Sequence, residues 1–320
     1  MPRSTICLLG GTGFVGRHLA ARLAGSNFNV KILTRSRVRH YALLVLPTVT
    51  LVDADIHNPE TLKRELAGCD AVVNLVGILN ERGHRGKGFH HVHVELAHKL
   101  LEACKHAGVP RLLQMSALNA SEHAPSHYLR SKAEAAVQVL KAQSDLHVTV
   151  FEPSVIFGPG DSFINRFAKL LRLVPGVFPL ACPKSKFAPV YAGDVAEAFA
   201  RSLNERASFG KRYSLCGPNV YTLRQLVRYT ARLQGLHRVI ISLPRPLSWL
   251  QAAILEWVPG KPFSLDNYRS LKLDSVCKEN GFAAFGIEPV ALEAVVPTYL
   301  GRFTPQAEFN KLRRMRGAML

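Results

Sequence analysis

The sequence has no apolar run long enough to cross a bilayer. A membrane-spanning helix needs about 18 or more consecutive apolar residues, and no stretch of this 320-residue chain reaches that length. Residues 1–5 lead directly into an apolar run, a pattern that fits neither a secretory signal peptide nor a transit peptide. We therefore expect a cytoplasmic protein whose contact with a membrane, if it makes one, is peripheral and on the inner face.

The sequence also lacks paired cysteines and metal-ligand patterns. Its six cysteines are scattered, with no C-x-x-C pair, which predicts reduced thiols. Four histidines fall within residues 84–93, but no carboxylate or cysteine stands at the spacing of a ligand set, so we expect no metal. The cysteines are Cys7, Cys69, Cys104, Cys182, Cys216 and Cys277.

Acidic residues are scarce. Only 23 Asp and Glu stand against 41 Lys and Arg, which gives a net charge of +18. This balance indicates a negatively charged partner: a phosphorylated cofactor, an anionic membrane surface or a nucleic acid. Zinc-finger, RNP and recognition-helix patterns are missing, so we expect no nucleic acid. The length and the hydrophobic fraction of 48% allow one large α/β domain, or such a core with a smaller lobe.

Residues 6–16 predict a strand, a tight turn and the start of a helix. An apolar run ends at Gly10, and Gly13 and Gly16 follow at three-residue spacing before apolar positions of helical period. Such a turn holds the pyrophosphate of a dinucleotide at a helix N-terminus. A glycine-rich turn without a ligand shows the same spacing, and the segments that follow favour the dinucleotide. The predicted contacts here are Gly10, Thr12, Gly13, Phe14, Val15 and Gly16.

The end of the predicted second strand favours NADP(H) over NAD(H). An acidic residue at this place binds the ribose of NAD, whereas a basic residue accommodates the 2′-phosphate of NADP. Here the strand ends at Arg35 and Arg37. After the third strand, Asp55 and Ile56 are placed to contact the adenine, with Asp55 accepting from its amino group. The alternative, that Asp55 or Asn58 merely caps the following helix, is open.

The predicted fourth strand covers residues 71–76 and is apolar enough for a parallel sheet buried on both faces. Its carboxyl end, Leu75, Val76 and Gly77, lies where ligands bind in such sheets. A glycine-rich, basic loop follows at residues 79–91 and is a candidate phosphate or substrate lid. We expect these three residues to line the cofactor.

Three polar residues near the fifth strand suggest acid–base chemistry. Ser116 ends that strand, and Tyr128 and Lys132 stand four apart at the start of a predicted helix, so they share a face. A nearby cation lowers a phenol pKa from about 10 toward neutrality, which suits proton exchange with a carbonyl or alcohol. We predict that Ser116 holds the substrate oxygen, Tyr128 exchanges the proton and Lys132 binds the ribose. A Tyr-x-x-x-Lys pair is also common on exposed helices, and its position here favours catalysis.

Together these residues resemble the extended and atypical branch of the short-chain dehydrogenase/reductase superfamily. Residues 146–161, which end in F-G-P-G-D, are similar to its segment near the nicotinamide. The resemblance therefore implies that Pro153 and Val155 contact the cofactor. Residues 189–196 are similar to its V-x-V-x-D-V-A segment, in which Asp194 begins a helix.

The resemblance covers nearly the whole chain but departs from the superfamily pattern at two positions. Glu152 stands where many relatives have arginine before the proline. His93 stands about where the superfamily often has an asparagine that supports a proton relay. The rest of the pattern implies a nucleotide-binding reductase with a Ser-Tyr-Lys group.

The last third of the chain resembles a narrower family, typified by the nucleotide-binding accessory subunit of respiratory complex I with its bacterial and coenzyme-Q-biosynthesis homologues. The matching segments are residues 243–259, 262–267, 285–293 and 296–300. Members of this family resemble reductases and hold NADPH, and some are thought to be structural. The resemblance implies either a catalytic or a structural role, beside a respiratory or quinone-biosynthesis complex.

A helix is predicted around Trp249, with apolar residues at four-residue spacing. Its stripe suits the headgroup layer of a membrane, and packing on the core as the wall of a substrate pocket is the alternative. The tail at residues 311–316 has four bases, which suit anionic lipid or a solvated end. The stripe comprises Trp249, Leu250, Ala253, Ile254, Trp257 and Val258.

The sequence thus predicts an α/β protein with a Rossmann-type, doubly wound parallel sheet over residues 1–236, including substrate-side insertions near 153–187. A smaller, mostly helical lobe is expected over residues 237–320. Two functional hypotheses follow. The first is an NADP(H)-dependent oxidoreductase for a lipophilic carbonyl, alcohol or quinone-like substrate. The second is a nucleotide-holding accessory or assembly subunit of complex I or a coenzyme-Q-biosynthesis complex.

Overall fold

The structure, a computed structural model, describes residues 3–301. The strands are β1 (Ser4–Leu9), β2 (Phe28–Thr34), β3 (Val49–Asp53), β4 (Ala71–Asn74), β5 (Arg111–Met115), β6 (His147–Pro153), β7 (Ile156–Phe157), β8 (Val177–Leu180), β9 (Lys186–Phe187), β10 (Val190–Tyr191), β11 (Lys211–Leu215), β12 (Tyr221–Thr222) and β13 (Val239–Ser242). The helices are α1 (Phe14–Ala24), α2 (Pro59–Leu66), α3 (Lys87–His90), α4 (Leu96–Ala107), α5 (His127–Lys141), α6 (Ile164–Leu173), α7 (Ala192–Ser202), α8 (Leu223–Leu233), α9 (Arg245–Leu255), α10 (Leu265–Ser270) and α11 (Leu292–Leu300).

A seven-stranded sheet forms the centre of the fold, with strand order β11-β6-β5-β4-β1-β2-β3. All its neighbouring strands are parallel. The order reverses at β1, which lies between β2 and β4, and ligands of doubly wound sheets bind at such a reversal, beyond the carboxyl ends of the strands. The predicted fold class is confirmed.

Buried apolar side chains fix the sheet and the helices beside it. Strands β4 and β5 are buried along their whole length, as strands covered on both faces must be. Helix α4 buries Leu96, Leu100 and Ala103 at helical spacing and ends at Gly108 with a φ of 66°, as predicted. It packs against α2 and α5, while α1 packs against α7.

The chain forms two compact units. Unit 1 comprises the chain up to Ser154 together with Ala192–Cys216 and Cys277–Glu288, and it contains the seven-stranded sheet. Unit 2 comprises Val155–Tyr191, Gly217–Val276 and the chain from Pro289. The single boundary predicted at residue 236 is therefore wrong, because residues 217–236 belong to unit 2 and Cys277–Glu288 returns to unit 1. Such returns depend on long-range packing, which leaves no local signal in the sequence.

Two cysteines in unit 1 correct a second prediction. Cys216, directly after β11, forms a disulfide with Cys277, at a sequence separation of 61. Asn280 Nδ2 also donates to the Cys216 carbonyl at 2.8 Å, so the returning segment is fastened to the edge of the sheet. The prediction of six reduced thiols is wrong for this pair, because folding joins residues that are distant in sequence. The other four cysteines are free thiols.

Helix α9 in unit 2 presents an apolar face to solvent. Its buried residues are Ser248 and Ala252, so the face opposite the predicted stripe packs inward. Within residues 3–301, no helix has the length and hydropathy of a bilayer span. The basic tail at residues 311–316 lies outside the described residues. The exposed residues of the stripe are Trp249, Leu250, Ile254, Trp257 and Val258.

Candidate functional site

The turn after β1 contains glycines at positions where a side chain would clash with the backbone. Gly10 has a φ of +77°, and a Cβ there would lie 3.1 Å from backbone atoms of Leu75 and Val76. A Cβ on Gly16 would come within 2.3 Å of the Gly10 carbonyl oxygen. Gly13 precedes α1 without a side-chain cap. Backbone N–H groups at the start of this helix are therefore accessible to an anion.

The other predicted turn residues flank these glycines. Val15 is buried, and Phe14 packs edge to face on His18, with ring centroids 5.6 Å apart. The Thr12 carbonyl accepts a hydrogen bond from Arg17 Nε at 2.9 Å, which holds an exposed guanidinium beside the turn. Sequence reasoning missed Arg17. Its position directly after the third glycine is the signal that identifies it.

The two arginines after β2 differ in their surroundings. Arg37 donates from its backbone N–H to Asp53 Oδ1 at 2.6 Å and forms an ion pair with the same carboxylate. Arg35 is exposed, and within residues 3–301 it forms no hydrogen bond or ion pair. Arg35 is thus the arginine whose guanidinium is available to a phosphate.

Asp55 and Ile56 follow β3 at the same edge of the sheet. Asn58, not Asp55, caps α2, because its Oδ1 accepts from two backbone N–H groups in the first turn. Asp55 Oδ1 accepts from the backbone N–H of His57 at 2.9 Å, which shapes the turn before the helix. Ile56 packs against the core of unit 1. The helix-cap alternative is therefore confirmed for Asn58 and wrong for Asp55, whose adenine contact stays a prediction.

The end of β4 connects the glycine turn to Lys132. Gly10 packs on the backbone of Leu75 and Val76, as described above. The Lys132 ammonium donates to the Val76 carbonyl at 3.3 Å and to the Met115 carbonyl at 3.2 Å. A Cβ on Gly77 would lie 3.0 Å from Lys132 Nζ, so the glycine leaves room for this side chain. The structure therefore brings together the predicted residues at the glycine turn, the end of β4 and the start of α5.

Burial shifts the pKa values of Tyr128 and Lys132 in opposite directions. It raises the pKa of Tyr128 to about 12 and lowers the pKa of Lys132 to about 8. The prediction that Lys132 lowers the pKa of Tyr128 is wrong, because loss of hydration around the phenol dominates. The Tyr128 ring also lies edge to face against Phe89 and His93, with centroids 5.9 and 5.8 Å away.

Ser116 contacts α5 through its hydroxyl group. Its backbone N–H donates to the Phe151 carbonyl at 2.7 Å, which fixes it at the end of β5. Its hydroxyl donates to the Lys132 backbone carbonyl at 3.3 Å. The bond is long, so another acceptor can compete for this hydroxyl. Ser116 therefore lies beside the Tyr-Lys helix, as its predicted role requires.

The loop at residues 79–91 is organised by a carboxylate that sequence reasoning missed. Glu81 is buried and accepts from the backbone N–H groups of Gly86 and Gly88 at 2.6 and 2.7 Å. These amides are consequently engaged within the chain, so they are not available to a phosphate. The phosphate-lid interpretation is wrong for them. Glu81 instead fixes the start of the helical segment that carries Phe89.

The segments matched to the nicotinamide side divide between the units. Pro153 ends β6 in unit 1, whereas Val155 begins unit 2 and packs against its core. Their contact with a cofactor stays a prediction. Glu152 forms an ion pair with Arg212 across β6 and β11, while burial raises its pKa.

The F-G-P-G-D motif lies in unit 2, and its aspartate, Asp161, accepts hydrogen bonds from residues of the same unit. Asp161 accepts hydrogen bonds from the backbone N–H groups of Gly158, Phe163 and Asn165. The Tyr299 hydroxyl donates to its Oδ2 at 3.0 Å. Asp161 therefore holds its own loop together. Within residues 3–301, no cluster of three or more His, Cys, Asp or Glu side chains is arranged to hold a metal ion.

Comparisons with known proteins agree with this geometry. Subunit 9 of the NADH dehydrogenase [ubiquinone] 1 alpha subcomplex of Arabidopsis thaliana is 32% identical over 277 residues, which cover 84% of this chain and 68% of that protein. A ceramide reductase of Caulobacter vibrioides is 28% identical over 244 residues, 76% of this chain and 75% of the relative. The resemblance predicted from the sequence is confirmed.

A solved structure shares the fold, and a family model matches most of unit 1. A dTDP-glucose 4,6-dehydratase from Streptomyces venezuelae, solved with NAD bound, superposes with a TM-score of 0.71 at 20% identity. The match covers 92% of this chain and 95% of that one. The family model matches residues 6–216, which hold the glycine turn, Ser116, Tyr128 and Lys132. The chain belongs to the NAD dependent epimerase/dehydratase family.

Proposed function

We propose that the chain binds a pyridine dinucleotide along the carboxyl edge of the sheet and exchanges a proton with a carbonyl or alcohol through Tyr128. One observation carries this proposal: a continuous series of contacts from Gly10, through Val76, to Lys132. Through these contacts, the glycine turn, which suits a pyrophosphate, neighbours the Tyr-Lys pair. Membership of an NAD dependent family supports the same function.

The residues present fit such a nucleotide. Gly10 and Gly16 leave a cradle that a Cβ would fill, and the start of α1 offers uncapped N–H groups to the pyrophosphate. Arg17 adds a cation beside the turn. We assign the adenosine end to the loops after β2 and β3, and the nicotinamide end to the carboxyl end of β4. The residues of unit 1 proposed to hold the nucleotide are Gly10, Thr12, Gly13, Phe14, Val15, Gly16, Arg35, Arg37, Asp55, Ile56, Leu75, Val76, Gly77, Tyr128, Lys132 and Pro153.

Hydride transfer is the chemistry that a nicotinamide nucleotide supplies when bound. Tyr128 retains its proton at neutral pH because its pKa is raised to about 12, so it is set to donate toward a carbonyl oxygen. Lys132 has three N–H groups and gives two of them to the Val76 and Met115 carbonyls. We assign the third to a ribose hydroxyl. Ser116 orients the substrate oxygen through the hydroxyl that otherwise meets the Lys132 carbonyl.

We propose NADP(H) over NAD(H) because Arg35 is exposed and has no partner within residues 3–301. Arg35→Asp should weaken NADPH binding about ten- to hundredfold, the cost of losing charge-assisted hydrogen bonds to a phosphate. NADH affinity should change less than about threefold, since NADH lacks that phosphate. Calorimetric titration measures both. Arg206→Asp makes the same charge change at another exposed site and is the control. Equal losses of affinity for NADPH and NADH in Arg35→Asp would refute the assignment.

We also propose peripheral contact with an anionic membrane through α9, with a lipophilic carbonyl, alcohol or quinone as substrate. Trp257 is 80% exposed, and Trp249 and Ile254 are exposed with it. Within residues 243–273 both acidic side chains, Glu256 and Asp266, are buried. All four basic residues there reach solvent. Residues 243–273 therefore combine exposed apolar side chains with positive charge, as binding to an anionic bilayer requires. The basic residues are Arg245, Lys261, Arg269 and Lys272.

The second candidate function is that of an accessory or assembly subunit that holds its nucleotide without turnover. The 32% identity to a complex I subunit favours it. Tyr128→Phe separates the two functions, because it removes only the proton that the reaction needs. If the protein is an oxidoreductase, this variant should reproduce the deletion phenotype in cells. Full complementation by Tyr128→Phe, with NADPH still bound, would instead support the accessory role.

A further inference from the structure

The helical segment from Lys87 to Ala107 contains a π-helical turn at His91–Glu95. Such turns are rare, occur frequently at functional sites, and change the direction in which the local side chains point. The turn places His93 in the interior, 2% exposed. His93 is thus a buried polar side chain on an irregular turn, between the end of β4 and α5.

Both ring nitrogens of His93 have hydrogen-bond partners. The backbone N–H of Ile78 donates to Nε2 at 3.3 Å, so Nε2 must carry a lone pair rather than a proton. The proton of the neutral ring is then on Nδ1, which lies 2.8 Å from Ser131 Oγ. The Ser131 hydroxyl in turn donates a hydrogen bond to the Tyr128 backbone carbonyl at 2.9 Å. These three hydrogen bonds therefore run in one direction, from Ile78 to the first turn of α5.

His93 also borders the two side chains of the proposed reaction. Its ring lies edge to face with Tyr128, and Phe89 packs on it with a centroid distance of 5.9 Å. A Cβ on Gly77 would lie 3.5 Å from His93 Nε2 and 3.0 Å from Lys132 Nζ, so both nitrogens border the same small space. Burial, and secondarily the Lys132 charge, lower the pKa of His93 to about 2.

We propose that His93 is a positioning residue, held as the Nδ1–H tautomer, which fastens the backbone after β4 to the first turn of α5, which carries Tyr128 and precedes Lys132. The inference rests on the proposed function and deepens it. Both ring nitrogens are already engaged, so His93 fixes geometry and does not relay protons. Its unprotonated Nε2 is the negative end of the imidazole dipole and stabilises the Lys132 ammonium nearby.

The tautomer is measurable without substrate or nucleotide. We expect ¹⁵N NMR of the full chain to show His93 with a protonated Nδ1 and a bare Nε2 throughout pH 5–8. Comparison with His93→Gln assigns the signal. An Nε2–H tautomer, or an imidazolium in that range, would overturn the proposal even if NADPH binds. A wild-type protein that binds no nucleotide but has this tautomer would instead contradict the proposed function alone.

Two variants test positioning. His93→Phe keeps a ring but loses both hydrogen bonds, whereas His93→Gln keeps an acceptor near the place of Nε2. In His93→Phe, NADPH affinity should fall about tenfold, as for one buried hydrogen bond. The pH midpoint at which affinity declines, near pH 8 where Lys132 loses its proton, should move lower. His93→Gln should restore most of that midpoint.

His91→Phe is the control, since His91 lies on the same turn but is exposed and pairs with Glu95. It should bind NADPH like the wild type, with the same midpoint. A merely structural role of His93 would lower thermal stability in both His93 variants and leave the midpoint in place. An unchanged midpoint in His93→Phe would therefore overturn the proposal.

Discussion

Lys132 and Tyr128 stand one helical turn apart on α5, and each is held in its neutral form more strongly than in water. Burial raises the pKa of Tyr128 to about 12 and lowers that of Lys132 to about 8. The four-residue spacing predicted that the side chains share a face. It did not predict the carbonyls of Val76 and Met115 around Lys132, because these come from the segment after β4 and from the end of β5. The effect of burial on a pKa depends on such long-range neighbours.

The shifted pKa of Lys132 makes stability depend on pH. The folded chain loses this proton near pH 8, whereas the unfolded chain keeps it to about pH 10.5, so the unfolded state binds more protons between these values. Stability from this group must therefore rise with pH there. Lys132→Met removes the proton, so wild type should gain about 2 kcal/mol in free energy of unfolding relative to the variant between pH 7 and pH 9.5.

Urea denaturation at both pH values measures this difference. Lys141→Met, which changes an exposed lysine on the same helix, is the control. Its difference from the wild type should remain constant with pH. A pH-independent difference for Lys132→Met as well would show that Lys132 keeps its proton in the folded protein.

At the scale of elements, the regular parts of unit 1 were predictable and the irregular parts were not. The apolar stripe of α4 and the glycine turn before α1 each follow a local period or spacing. The π-helical turn at His91–Glu95 has no such period, and the apolar pattern continued through it. Glu81 was missed because its partners are backbone N–H groups, which sequence composition does not reveal.

The exposed apolar residues on and just after α9 lead to a prediction about membrane binding. The sequence left two interpretations open, and the exposure of Trp249 and Trp257 favours the membrane surface. The double variant Trp249→Ser/Trp257→Ser should lose at least about tenfold in binding to anionic liposomes, because two large apolar side chains no longer leave water. Flotation with anionic and with neutral lipid measures it.

The matched control for α9 lies in unit 1. Val45 is 80% exposed, like Trp257, but lies far from α9 in the sequence, before β3. Val45→Ser should float as the wild type does. If the tryptophan variant binds liposomes as well as the wild type, α9 does not contact lipid.

At the scale of the whole chain, two segments distant in sequence complete unit 1. Strand β11 extends the sheet beside β6, and Cys277 returns to bond with Cys216. The sequence predicted the strand but placed a single boundary at residue 236, because contacts between distant segments have no local signature. The net charge of +18 is a property of the whole chain, and it favours anionic ligands such as a phosphorylated nucleotide or a lipid surface.

We propose that one nucleotide spans the edge of the sheet from the glycine turn to Lys132. A crystal structure of the protein grown with NADPH tests this placement. We predict the pyrophosphate against the backbone N–H groups at the start of α1, and a ribose hydroxyl bonded to Lys132 Nζ. NADPH bound elsewhere, or a nicotinamide remote from Tyr128, would contradict this account.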